Sequence, residues 1–143
     1  MDSVEPANNN RAWVGRVLIV DDEPALRRLM RRALGGLQLE IVEAGNGAEA
    51  LERCASEDFS AVVTDVRMPT MDGLELVAEL QRLDPDLPII LVSGSDEVSS
   101  RASARALGAF DFLAKPFDLF ELGCRVLSAV AARPARVHRR QVA

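Results

Sequence analysis

Val17-Leu18-Ile19-Val20-Asp21-Asp22-Glu23-Pro24 is the stretch on which the reading of this chain turns. Four consecutive apolar, mostly β-branched residues suit a strand buried on both faces. Acids follow at once, and then a proline suited to the first turn of a helix. The same design recurs three times. Asp65 follows Ala61-Val62-Val63-Thr64, Ser93 closes Ile89-Ile90-Leu91-Val92, and Lys115-Pro116 follows Phe112-Leu113-Ala114. If these runs are parallel strands, carboxylates, a hydroxyl and an ammonium group gather at one edge of a sheet.

Outward from that stretch, apolar periodicity alternates between strand-like and helix-like segments. Strands are predicted over 16–20, 39–44, 59–64, 88–93 and 110–114. Helices are predicted over 24–34, 46–55, 74–83, 98–107 and 119–132. In the first helix Leu26, Leu29, Met30, Ala33 and Leu34 form one apolar stripe, with Arg27, Arg28, Arg31 and Arg32 off it. Gly35-Gly36 ends that helix, and Asn46 is placed to cap the second. Ala50, Leu51 and Cys54 are assigned to the inner face of the second helix, and Leu76, Val77, Leu80 and Leu83 to that of the third. Trp13 is read as capping a sheet edge. Alternation at this spacing predicts βαβ units, a parallel sheet and helices on both faces. Ligands of open sheets of this kind bind beyond the carboxyl ends of the strands, where the acids, Ser93 and Lys115 lie.

Composition narrows the function. A chain of 143 residues with 48% hydrophobic residues suits one domain, and no apolar run approaches a membrane span. Residues 1–13 read as a flexible lead, polar and acidic rather than a secretory signal. Cys54 and Cys124 lack CxxC spacing and read as small buried hydrophobes in a reducing cytoplasm. The single histidine, His138, excludes His-based catalysis and zinc chemistry. Net charge is −5, with Arg133, Arg136, Arg139 and Arg140 in a basic tail over 133–143. The remaining 13 bases and 22 acids leave the body at −9. An acidic body argues against direct nucleic-acid binding, and the tail reads as a solvated linker.

Asp21, Asp22 and Asp65 within about 4 Å of one another would repel by a few kcal/mol per pair. Such a cluster must take up a proton or hold a cation, and hard oxygen donors suit Mg²⁺. Each residue alone has a plainer use: a helix cap for Asp21 or Asp22, a turn for Asp65, a cap for Ser93, a surface charge for Lys115. Together they fit phosphoryl transfer, where positioning and charge compensation are most of the task. A carboxylate beside a bound Mg²⁺ can attack phosphorus, and Asp65 is best placed to do so.

The motifs Val-Asp21-Asp22-Glu-Pro, Thr-Asp65-Val-Arg-Met68-Pro69-Thr-Met-Asp72-Gly73, Val-Ser93-Gly94 and Lys115-Pro116-Phe117 resemble the receiver domain of two-component response regulators. The likeness runs over about 14–132. It implies a flavodoxin-like (βα)₅ fold, three layers with strand order 2-1-3-4-5. It implies a phosphoacceptor switch rather than an enzyme, with Asp65 taking phosphate from a sensor histidine kinase or phosphotransfer protein. Asp22, Asp65 and the backbone carbonyl of Arg67 would hold Mg²⁺, and Asp21 would act mainly through metal-bound water. Lys115 would pair with the phosphate through a loop with a cis bond to Pro116, Ser93 would move in, and Phe112 would be the aromatic switch. Phe112 lacks the hydroxyl of the more usual tyrosine. Arg67 and Ser95 sit where side chains influence hydrolysis, and Ser95 supplies no extra carboxylate.

The resemblance makes the fourth helix, fifth strand and fifth helix the responsive surface, carrying Arg101, Arg105, Asp111, Asp118, Glu121 and Arg125. That face is either a solvated charged surface or, as often in the family, a site of homodimerisation or partner docking. A haloacid-dehalogenase-like phosphatase would want an acid where Arg67 stands. A flavin site would not tolerate Asp21-Asp22-Glu23 beside a phosphate without a metal. A pseudo-receiver that only binds partners would have no need of the full set. The chain reads as a stand-alone receiver or as the N-terminal piece of a longer regulator.

Overall fold

The computed structural model describes residues 13–94, 98 and 100–133. Most of the expected lead, the tail from Pro134 onward, and Ser95 lie outside them. Among the described residues, five strands alternate with five helices: β1 (Gly15–Val20), α1 (Pro24–Gly35), β2 (Leu39–Ala44), α2 (Gly47–Ser56), β3 (Ala61–Asp65), α3 (Gly73–Leu83), β4 (Ile89–Ser93), α4 (Arg101–Ala106), β5 (Asp111–Ala114) and α5 (Leu119–Ala132). Every strand pairing is parallel and the order is β2-β1-β3-β4-β5. The expected fold is the one found, and β1 and β3 lie side by side at its centre.

The pleat separates two cores. Leu18 and Val20 point to one side, with Val62, Leu76, Leu80, Leu91 and Ala104 from β3, α3, β4 and α4. Val17 and Ile19 point to the other, with Met30 and Leu34 of α1 and Leu122 and Val126 of α5. Helices α1 and α5 thus cover one face, and α2, α3 and α4 the other. Each fully buried aliphatic side chain of β1 contributes about 1.5–3 kcal/mol, which makes this central strand the anchor of the sheet.

Local signals set the helix ends. The Asn46 side chain accepts from the Glu49 amide, and Asp72 and Glu75 form a reciprocal capping box at the start of α3. Helix α1 begins on Pro24, and Glu23 before it makes no side-chain cap. Gly108 takes a φ of +101°, a conformation glycine adopts without strain, and its carbonyl accepts from the Gln81 side chain.

Several expectations need correction. Helix α4 is shorter than 98–107 because Ser100 caps it, its hydroxyl accepting from the Ser103 amide at 3.1 Å. Leu29 and Leu83 are 44% and 48% exposed rather than buried, since each sits on the shoulder of its helix. Trp13 is half exposed and leads into central β1, not an edge strand. Cys124 is exposed; Cys54 is partly buried, and burial pushes its thiol up to about 12. Asp111, grouped with surface charges in the sequence, is buried. Arg133, at the end of the described residues, pairs with Asp84 at 2.6 Å.

Candidate functional site

The register of the central strands brings the acids together. Asp21 directly follows β1 and Asp65 ends β3; Val20 and Thr64, the residues before them, are paired neighbours. An oxygen from each of Asp21, Asp22 and Asp65 lies within 4.8 Å of the others. Asp21 and Asp65 are buried, whereas Asp22 is exposed, so the cluster opens to solvent on the Asp22 side.

Asp21 is 1% exposed. Its Oδ1 accepts from the Glu23 amide at 2.8 Å, but its Oδ2 has no hydrogen-bond partner among the described residues. Burial pushes its pKa up to about 6, against the lowering by the Glu23 amide; the charge of Asp65 adds to the rise and Lys115 offsets part of it. A buried carboxylate oxygen with no partner is costly, and the cost falls when a cation arrives. The donor set therefore fits a small, hard divalent ion such as Mg²⁺.

Asp65 is held from several directions. Lys115 Nζ approaches its Oδ2 at 3.1 Å, and the Arg67 amide approaches Oδ1 at 3.4 Å. The Thr64 hydroxyl donates to its carbonyl at 3.1 Å. Behind it, a Cβ on Gly73 would collide with the Asp65 carbonyl, so only glycine lets the start of α3 pack this closely. The Gly73 amide donates to the Val66 carbonyl at 2.8 Å, which fixes the intervening loop.

Lys115 and Ser93 arrive from neighbouring strand ends. The Lys115 amide donates to the Ser93 carbonyl at 2.9 Å, and the Lys115–Pro116 bond is cis. Ser93 is 3% exposed at the end of β4. Phe112 is buried in the core layer that also holds Val98, Ala104 and Ala109. Asp21, Asp22, Asp65, Ser93 and Lys115 thus all stand at the carboxyl ends of β1, β3, β4 and β5. Arg67 is exposed on the adjoining loop.

Two features escaped the sequence reading. Arg27, placed off the apolar stripe of its helix, turns back and donates from Nη1 to the Asp21 carbonyl at 2.5 Å. Arg101 and Arg125 converge on Asp111, each at 2.8 Å, instead of facing solvent independently. Neither pairing has a local sequence signature, because the partners lie 6, 10 and 14 positions apart.

Comparisons with known proteins agree with this arrangement. The chain is 43% identical to the response regulator MprA of Mycobacterium ulcerans over 111 residues, 78% of this chain and 48% of that protein. It is 39% identical to the DNA-binding transcriptional regulator NtrC of Escherichia coli over 117 residues, 82% of this chain and 25% of that one. The chain therefore spans from a quarter to a half of these relatives. The response regulator TrrA of Thermotoga maritima, solved in complex with Mg²⁺-BeF, superposes with a TM-score of 0.72 at 35% identity, covering 80% of this chain and 97% of that one. A sequence profile described as the response regulator receiver domain matches residues 17–126. That match spans most of the chain and all the strand ends above, so the chain belongs to the receiver-domain family of two-component response regulators.

Proposed function

We propose that this receiver accepts a phosphoryl group on Asp65 from a phosphohistidine of a sensor histidine kinase or phosphotransfer protein, and so acts as a switch rather than a turnover enzyme. The observation that carries this reading is the partly buried carboxylate cluster, with an Asp21 oxygen that has no hydrogen-bond partner among the described residues on one side of Asp65 and Lys115 on the other. The likeness to TrrA, which binds Mg²⁺-BeF, supports it.

Asp21, Asp22, Asp65 and the backbone carbonyl of Arg67 are the residues that would hold Mg²⁺. The ion supplies positive charge that relieves repulsion between the acids and the incoming phosphoryl oxygens. An Asp65 oxygen attacks phosphorus in line with the departing imidazole nitrogen. Lys115, already on Asp65, moves to a phosphoryl oxygen, and Ser93 donates a hydrogen bond to another. Arg67, beside Asp65, stands where its side chain can influence access of water.

Phosphorylation adds nearly two negative charges and three acceptors. The conformer with Ser93 drawn in gains population, and Phe112 repacks with it. The affected surface is α4, β5 and α5, which would dimerise or dock a partner or output domain. The receiver is taken as residues 14–132, with 133–143 as a linker, no direct binding of nucleic acid by this body, and action in the cytoplasm. Among the described residues no helix is long and apolar enough to cross a membrane.

The test is incubation with Mg²⁺ and acetyl phosphate, followed by intact-mass spectrometry. The expected result is one acid- and base-labile phosphoryl adduct, absent from Asp65→Ala. No adduct on the wild type, or an undiminished adduct on the variant, overturns the reading.

A further inference from the structure

We propose that Arg27 is a positioning residue for the acid loop: its guanidinium replaces the backbone donor that Pro24 lacks and pins the Asp21 carbonyl, so that Asp21 and Asp22 present their carboxylates to one divalent cation. The proposal rests on the metal-binding part of the reading above.

A turn after a strand commonly ties the carbonyl of residue i to the amide of residue i+3. For Asp21 that residue is Pro24, which has no N–H. Of the amides that follow, those of Leu26 and Arg27 both donate to the Glu23 carbonyl at 3.1 Å. The Asp21 amide donates to the Ala44 carbonyl at 3.2 Å, which secures only one side of the residue. Arg27 Nη1 supplies the other hold, at 2.5 Å from the Asp21 carbonyl. A buried carbonyl without that donor would be free to turn and carry the acid side chains with it.

Arg27 is itself aimed. Its Nε donates to Glu43 Oε1 at 3.0 Å, and Arg31 holds the other oxygen of the same carboxylate. The Arg31 and Arg27 guanidiniums hold the Glu43 carboxyl below the usual range despite its partial burial, so it is charged at neutral pH. Arg27 is 19% exposed, and its fork spans two acceptors that a single ammonium could not bridge. Edge strand β2, through Glu43, therefore orients the side chain that orients the end of central β1. Partners that orient metal ligands in this way are commonly worth about 10–100-fold in metal affinity.

A merely structural Arg27, joining α1 to β2, would affect folding but not metal affinity. Calorimetric titration of the full chain with Mg²⁺, without phosphodonor, separates the two. Arg27→Ala is expected to weaken Mg²⁺ binding about tenfold, and Glu43→Gln to weaken it less. Phosphoryl uptake by Arg27→Ala should fall more at low Mg²⁺ than at saturating Mg²⁺. If Arg27→Ala does not fold, Arg27→Lys, which retains the charge without the fork, takes its place with a loss in the same direction. Binding by the arginine variants within about twofold of the wild type overturns this inference alone. A wild type that takes up no Mg²⁺ overturns it together with the metal site on which it rests.

Discussion

Asp21 and Asp111 are each only 1% exposed, yet the protein treats their charges in opposite ways. Asp111 accepts from the Phe112 amide at 2.8 Å, from Arg101 at 2.8 and 3.2 Å, and from Arg125 at 2.8 Å. Burial alone would raise its pKa; the amide and the two guanidiniums outweigh burial and hold it below the usual range. Asp21 has one amide on Oδ1, no partner on Oδ2 among the described residues, and a pKa pushed up to about 6. One buried carboxylate is fully compensated inside the chain, whereas the other depends on something from outside it. A saturated buried acid is a structural joint, and an unsaturated one in an open cluster marks a binding site.

The largest break in this comparison should come from Asp111→Ala, which removes the acceptor shared by Arg101 and Arg125, leaves Arg125 with Glu121 and the Phe112 carbonyl, and frees the first turn of α4 from α5. Removing one side of a buried ion pair commonly costs about 3 kcal/mol or more, and urea unfolding at neutral pH should show a loss of that order. A loss below about 1 kcal/mol would mean that the joint is no stronger than an exposed pair.

Asp21→Asn should act in the other direction. The raised folded pKa means that Asp21 binds its proton more tightly in the folded chain than in the unfolded one. Its contribution is therefore favourable at low pH and is lost as pH rises from about 3.8 through about 6. Without metal at pH 7, the variant should be more stable than wild type by about 2 kcal/mol, the amide recovering most of what a shift of this size costs. Mg²⁺ should stabilise the wild type and change the variant little. Asp111 has the opposite slope: its contribution is present above the unfolded carboxylate range and fades as pH falls through its lowered folded pKa. Denaturant titrations across pH 3–8 in the presence of chelator would resolve the two slopes, and equal slopes would erase the distinction.

The smallest effect sharpens the picture of Asp111 itself. The Arg101 side chain is 57% exposed and Arg125 only 21%. Arg101→Ala should cost less than about 1 kcal/mol, since solvent screens the lost pair and Arg125 remains. A cost as large as that of Asp111→Ala would make Arg101 the principal counterion.

Much of this was legible from sequence where the physics is local. The apolar runs of β1, β3 and β4 defined the parallel sheet, and the polar residue ending each run located the site edge. Asn46, which caps a helix, was readable for the same reason. What could not be read depends on pairing across the fold. Asp111 looked like a surface charge because its counterions lie on α4 and α5. Arg27 was placed only off the apolar stripe, because helical periodicity assigns a face and says nothing of a long side chain reaching back over its own N-terminus. Leu29 and Leu83 were overcounted because a periodic stripe is wider than the strip of helix that the sheet covers.

The two separated cores carry one more consequence. Phe112 belongs to the layer beneath α4, whereas its neighbour Leu113 belongs to the layer beneath α1 and α5. Any outward swing of the Phe112 ring would leave a hole on one side of the sheet only. Emptying a ring-sized space in a packed interior costs about 3–5 kcal/mol unless the walls collapse into it. The nearest wall is α4, six residues long, its buried contact made by Ala104. Aliphatic residues fill the other layer, which lies across an intact sheet from the hole. Repacking is thereby directed sideways into the shortest helix, and the opposite face of the molecule can keep its shape.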